Sequence, residues 1–306
     1  MNSKHLLVVI GPTAIGKTSL SIALAQHFKC EIVSADSRQF YKEMSIGTAA
    51  PDATELKAAP HHFIQHRSIK ADYSVGDFEK EAIQKIEQLF TTHNYVVLVG
   101  GSGLYVDAIT KGLDDFPDVD EQIRTTLKEE YQNNGIESLQ KQLKKLDPVY
   151  YNKVDIHNTH RVMRGLEVCI SSGKPYSSFL NQSSKKRSFN TIKIGLTAER
   201  SIIYDRINQR VDLMIKHGLL DEVKGLYEHK ALNALNTVGY KEIFKHFDHE
   251  WELDFAISEI KKNTRRFAKR QLTWFKKDTE IEWFDYKENI NSIITHITKS
   301  SLQPKE

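Results

Sequence analysis

Cysteine is almost absent: Cys30 and Cys169 are the only two in 306 residues. No paired spacing joins them, so no disulfide framework is expected, and both read as small core residues. Long apolar runs are equally scarce. The only early one, Leu6 to Ile10, is far too short for a secretory signal core or a membrane span. A soluble, cytoplasmic protein with no membrane partner is the expectation. Net charge is small as well, at +3. What the chain does have is a 40% hydrophobic composition, enough to bury one large domain or a core plus a smaller one.

The few net charges are unevenly placed. KKNTRRFAKRQLTWFKK, residues 261 to 277, carries eight Lys/Arg and no acid, which leaves −5 on the rest of the chain. A basic stripe on a mildly acidic body reads as a polyanion footprint. Ile260, Phe267 and Trp274 recur every seven residues, with Ala268, Leu272 and Phe275 beside them. The expected helix therefore buries that face and turns Arg265, Arg266, Lys269 and Arg270 outward. A merely solvated charged face stays open as the alternative.

Along the first hundred residues, strands and helices alternate in the manner of a parallel α/β sheet. Strands are expected at Leu6–Ile10, Glu31–Ser34, His62–Gln65 and Tyr95–Val99. Val75, Phe78, Ala82, Ile86, Leu89 and Phe90 fall at helical spacing, and Ser74 with Asp77 supplies a capping box. From Glu121 to about Phe179 the periodicity is helical throughout, punctuated by Asn133-Asn134-Gly135, Asp147-Pro148 and Ser171-Ser172-Gly173. Residues 181 to 189 look like a flexible return, and strand character resumes at Thr191–Ile194. The expected organisation is an α/β core of residues 1–115 and 189–306, interrupted by an all-helical insertion at 116–188.

GPTAIGKT, residues 11 to 18, lies between an apolar run and a helical pattern. Glycines at that spacing let backbone N–H groups and a helix N-terminus converge on a phosphate. Lys17 adds a full charge, and the Thr18 hydroxyl can sit on Mg2+. The pattern marks a polyanion site, and usually a nucleotide such as ATP. Two absences narrow the choice. VVLVGGSG, residues 96 to 103, carries none of the acid that nucleotide hydrolysis would want at that strand end. It is not a dinucleotide fingerprint either, because Val106 stands where a third glycine is needed. Asp36 follows another strand end on the same edge, where a base, a loop cap or a magnesium carboxylate are all open. His61, His62 and His66 lack metal-ligand spacing and read as ordinary strand residues.

VSADSRQFYKEMSIGTAAP, residues 33 to 51, makes the pattern specific. With GPTAIGKT, APHHF, YSVGDFEKEA, VGGSGLY, HRVMRGLEV, TVGYKE and TRRFAKRQLTWF it resembles the bacterial tRNA dimethylallyltransferases, in the family's order from residue 11 to residue 275. The resemblance implies a P-loop NTPase-like fold. It also implies transfer of a dimethylallyl group from its diphosphate to N6 of the adenosine just 3′ of the anticodon. The loop of Gly11, Pro12, Thr13, Ala14, Ile15, Gly16, Lys17 and Thr18 then holds the prenyl donor's diphosphate with Mg2+. Asp36 becomes the base that orients the adenine amine and takes its proton. Arg210 matches the family's phosphate-contacting arginine, one turn after Arg206. Ser102 stands where relatives commonly have threonine beside the reacting centre, and Ile15 where many have serine. Contacts to the anticodon stem-loop of tRNA fall on Ser37, Arg38, Gln39, Arg124, Arg161, Arg164 and Lys241, and on the 261–277 stripe. The protein is expected to act as a monomer. An adenylate-type isopentenyltransferase using free nucleotide, a small-molecule P-loop kinase and a non-catalytic RNA-binding switch are the competing readings.

Overall fold

The computed structural model describes residues 4–180 and 186–302. Residues 181–185 of the expected flexible return lie outside them. The chain separates into two compact units, one ending at Lys111 and resuming at Arg187, the other Gly112–Lys186. The cuts thus fall four and two residues earlier than the expected 115/116 and 188/189. Arg187 explains the second shift: Nε donates to Ile109 O at 2.9 Å, and Nη2 to Ala108 O at 2.6 Å and to Glu79 at 2.7 Å. The main unit therefore begins again at Arg187.

That unit opens with β1 (His5–Ile10), α1 (Lys17–Phe28), β2 (Ile32–Ser34), α2 (Ala53–Ala58), β3 (His61–His62), α3 (Val75–Phe90), β4 (Tyr95–Val99) and α4 (Gly103–Thr110). The second unit follows, with α5 (Glu121–Leu146), α6 (Pro148–Tyr151) and α7 (Thr159–Ser172). The main unit then resumes with β5 (Asn190–Thr197), α8 (Arg200–Lys216), α9 (Leu219–Gly225), α10 (Tyr240–Phe247), α11 (Leu253–Phe275), β6 (Ile281–Asp285) and α12 (Ile290–Leu302). All strand pairs are parallel, in the order β3-β2-β4-β1-β5-β6. Every residue of β1 is buried, as a central strand covered on both faces requires. One face packs on Phe78, Ala82 and Ile86 of α3; the other on Leu20 and Leu24 of α1. The capping box that starts α3 is present, with Ser74 and Asp77 exchanging both bonds.

Three expectations need correction. The third strand is His61–His62, not His62–Gln65, because Phe63 and Gln65 take positive φ (63° and 46°) and turn the chain. The edge strand β6 was not foreseen; its two charged and two aromatic residues show no clean alternation. On α11 the buried residues are Ala256, Ile260, Ala268, Gln271 and Phe275, whereas Phe267 and Trp274 are 38% and 39% exposed. Trp274 sits at the margin of the packed face, its ring over Gly103 and its Nε1 donating to Asp107 Oδ2 at 2.9 Å, so it stays part open to solvent.

In the second unit α5 and α7 pack around Leu127, Leu139, Leu143, Val162 and Leu166. The Asn-Asn-Gly punctuation is a kink inside α5, where Gly135 adopts φ 73°. Asp147 caps α6 and receives Ser177 N and Oγ at 2.6 and 2.9 Å, tying the end of the unit back to its middle.

Candidate active site

Three neighbouring strands, β2, β4 and β1, end on one edge. The loops leaving them carry Asp36, the Gly-Gly-Ser-Gly turn and the phosphate-loop sequence. Their tips are in contact. A Cβ on Gly100 would lie 2.5 Å from Ala35 O, so only glycine lets the β4 tip approach the β2 tip this closely.

The loop after β1 is built from strained and small residues. Gly11 (φ 145°) and Gly16 (φ 110°) take conformations that disfavour side chains, and a Cβ on Gly11 would meet Leu196 O at 2.5 Å. Ala14 also has positive φ, 64°. Gly16 is the N-cap of α1, so the first amides of that helix open into the cradle. Ile15 is 1% exposed and belongs to the core, so the missing serine removes a polar group but not the loop's shape.

Side chains hold this loop from several directions. Lys17 Nζ donates to Pro12 O at 2.9 Å, Arg206 Nε to Ala14 O at 2.7 Å, and Arg210 Nη1 to Thr13 Oγ1 at 3.2 Å. The Thr13 amide does not face the cradle, because it donates to Gln271 Oε1 at 2.8 Å. Gln271 also donates from Nε2 to Gly101 O at 2.9 Å. Neither Gln271 nor the holding role of Arg206 was foreseen. The only signal for Gln271 was a polar residue between apolar ones at core spacing.

Burial brings the Lys17 ammonium down to about 8, with Asp36 opposing the shift and Arg210 adding to it. Burial also lowers Arg210, again opposed by Asp36. Two crowded cations with a carboxylate beside them form a site that gains from an incoming dianion. Asp36 Oδ1 accepts Arg38 N at 3.0 Å, and Oδ2 has no partner among the described residues. Ser102 caps α4 without a side-chain cap bond; its hydroxyl instead lies 3.2 Å from Ser37 Oγ and accepts Ser37 N at 3.3 Å. Asp36, Ser37, Ser102, Lys17 and Arg210 are thus brought together.

Arg38 and Gln39 are drawn inward. Arg38 Nη1 donates to Asn233 O and Ala234 O at 3.0 Å each, and Gln39 Nε2 to Thr48 O and Ala49 O at 3.2 and 3.0 Å. They brace the turn that carries Asp36. On α11, Arg266, Lys269 and Arg270 are exposed, but Arg265 packs on α8, with Nη1 2.7 Å from Asn208 Oδ1 and the guanidinium 5.7 Å from the Tyr204 ring. Lys241 is exposed on α10. In the second unit Arg124 and Arg164 share Glu167, at 3.0 and 3.4 Å. Arg161 and Arg164 line an open hollow of about 380 Å³ with Tyr150, Lys153, His160 and Tyr176.

Among the described residues no three His, Cys, Asp or Glu side chains gather as a metal site. His62 meets Glu31 at 2.6 Å and His61 Nδ1 meets Ala59 O at 2.8 Å. For Mg2+, the Thr18 hydroxyl is the fitting donor. It is uncommitted to any other described residue, and a hard cation that keeps most of its waters asks for one such oxygen plus substrate phosphates.

A parallel α/β sheet with this loop leaving its central strand, and a carboxylate on a nearby strand end, defines a P-loop-type phosphate-binding fold. The chain belongs to the IPP transferase family, whose model matches residues 39–278. Similar chains include the tRNA dimethylallyltransferases of Christiangramia forsetii, 62% identical over 96% of this chain and 98% of that one, and of Flavobacterium johnsoniae, 59% identical over 97% and 98%. Two solved structures are similar throughout. The tRNA isopentenylpyrophosphate transferase of Bacillus halodurans is 37% identical, with a TM-score of 0.70 over 97% of this chain and 95% of that one. A eukaryotic dimethylallyltransferase captured acting on tRNA is 26% identical, with a TM-score of 0.85 over 99% and 81%. No helix among the described residues is long and apolar enough to cross a membrane.

Proposed function

We propose that this chain transfers a dimethylallyl group from dimethylallyl diphosphate to N6 of the adenosine immediately 3′ of the anticodon in tRNA. The observation that carries the reading is the Asp36 carboxylate, one oxygen uncommitted, beside the Lys17–Arg210 cradle. The family to which the chain belongs supports it independently. In the reaction the bond from allylic carbon to diphosphate oxygen breaks and a carbon–nitrogen bond forms. Diphosphate leaves, and the proton from the adenine amine passes to Asp36.

An adenine amine is a weak nucleophile because its lone pair is delocalised. Asp36 orients it and removes positive charge as the bond forms. Lys17, Arg210 and the α1 amides neutralise the departing diphosphate. Ser102 and Ser37 place hydroxyls next to Asp36, where they order the base. Thr18 would hold a Mg2+ ion, which would supply further positive charge against the diphosphate. Nucleotides such as ATP carry similar phosphates and should compete for the cradle. The tRNA is held by Arg266, Lys269 and Arg270 of α11, with Lys241, and separately by Arg124, Arg161 and Arg164 of the second unit. Arg38, Gln39 and Arg265 contribute mainly by shaping the surface, and Ser37 through its hydroxyl beside Asp36. One copy of the chain, in the cytoplasm, suffices.

The deciding experiment mixes the protein with unmodified tRNA, Mg2+ and labelled dimethylallyl diphosphate, then digests the RNA for mass spectrometry. One adenosine next to the anticodon should gain a five-carbon group. Phosphate transfer from ATP would establish a kinase instead. Free AMP serving as well as tRNA would establish an adenylate-type enzyme.

A further inference from the structure

We infer that Gln271 is a positioning residue that locks the donor loop to the loop beside the base, and so sets how closely the two reactants meet. The inference rests on the functional reading above. Gln271 occupies a core position on α11, 6% exposed, on the same face as Ala268 and Phe275. A polar side chain there needs both ends satisfied, and both are. Oε1 accepts Thr13 N at 2.8 Å, and Nε2 donates to Gly101 O at 2.9 Å. Thr13 belongs to the loop after β1 and Gly101 to the loop after β4. One carboxamide therefore ties together two loops that no backbone hydrogen bond joins at this point.

The residue type matters. A carboxamide offers an acceptor and a donor at fixed separation. Glutamate would keep the acceptor for Thr13 but set an oxygen against Gly101 O. Methionine fills the volume with neither, leaving an amide and a carbonyl without partners. The neighbouring glycine fits the same account. A Cβ on Gly101 would lie 2.2 Å from Gln271 Nε2 and 3.7 Å from Lys17 Nζ. Gly101, Gln271 and Lys17 thus share one closely packed point where the donor cradle abuts the wall carrying Ser102. Both polar ends of Gln271 are used within the protein, so it acts through the loops and not on substrate. Displacement lengthens the approach of amine to allylic carbon, which a rate feels far more than an affinity does.

The test compares wild type with Gln271→Met and Gln271→Glu in single-turnover prenylation of tRNA, both substrates saturating. Rates are normalised to the fraction of chain that binds donor. The expected result is a rate lower by roughly 10–100-fold, with donor and tRNA affinities within about threefold of wild type. Gly101→Ala should lose rate similarly. In the Gln271→Ala background the same change should cost much less, because the clash is gone. If methionine leaves too little folded protein, the glutamate variant carries the same comparison. A wild-type rate per active site in Gln271→Met, strictly additive losses in the double variant, or a fall in donor affinity that accounts for the whole deficit would overturn the inference. A wild-type chain that leaves tRNA unmodified overturns the functional reading, and this inference with it.

Discussion

Lys17 sits at about 8 because burial removes water from its ammonium, with Arg210 adding to the shift and Asp36 only partly opposing it. A bound diphosphate raises that value again, so the proton is held more tightly in the complex than in the free protein. Donor affinity should therefore fall as pH rises through about 8, approaching a tenfold loss per pH unit as Lys17 deprotonates in the free protein. Calorimetric titration on both sides of that pH checks this, and Lys17→Met should flatten the profile as well as weaken binding. Asp36→Ala should lower turnover by roughly 10²–10⁴ while tRNA affinity changes far less. Near-normal single-turnover rates in that variant would remove Asp36 from its role. Lys17, Thr18 and Asp36 were legible because each sits in a contiguous motif. Gln271 was not, since its partners are 258 and 170 positions away and only the fold joins them.

α3 was legible to the residue, its apolar positions and its capping box agreeing on both ends. α11 was legible as a helix and in part as a face, since Ile260, Ala268 and Phe275 are buried as expected and Leu272 packs beside them. Its packed side includes Ala268 and Phe275, while Phe267 and Trp274 are more than a third exposed. Phe275→Ala should then cost about 3–5 kcal/mol in denaturant unfolding, as emptied core sites do. Phe267→Ala should cost about 0.5 kcal/mol or less. Equal losses from the two would restore the seven-residue stripe as the buried one. β6 escaped notice because an edge strand half open to water needs no apolar alternation, and its pairing with β5 supplies the order instead.

The order β3-β2-β4-β1-β5-β6 cannot be read from any one segment, yet it is what makes Asp36, Ser102 and Lys17 neighbours. The parallel α/β class was legible from alternation alone; which strand lies beside which was not. Charge distribution is likewise a property of the entire chain, with eight cations in residues 261–277 and −5 elsewhere. Reversing Arg266, Lys269 and Arg270 to glutamate should lower the log–log salt slope of tRNA binding by about 0.7–0.9 per lost contact and leave donor binding intact. Reversing Arg265, committed to Asn208, should lower the slope less and melt the protein earlier. The grip of Arg187 on Ala108 and Ile109 has a separate consequence. It brings the two severed ends of the main unit to one place through bonds made within that unit. The second unit is thus a cassette on a closed stem. Excising residues 112–186 and bridging the gap with a few glycines and serines should leave a main unit that folds cooperatively and still binds dimethylallyl diphosphate, read by thermal melting with and without donor.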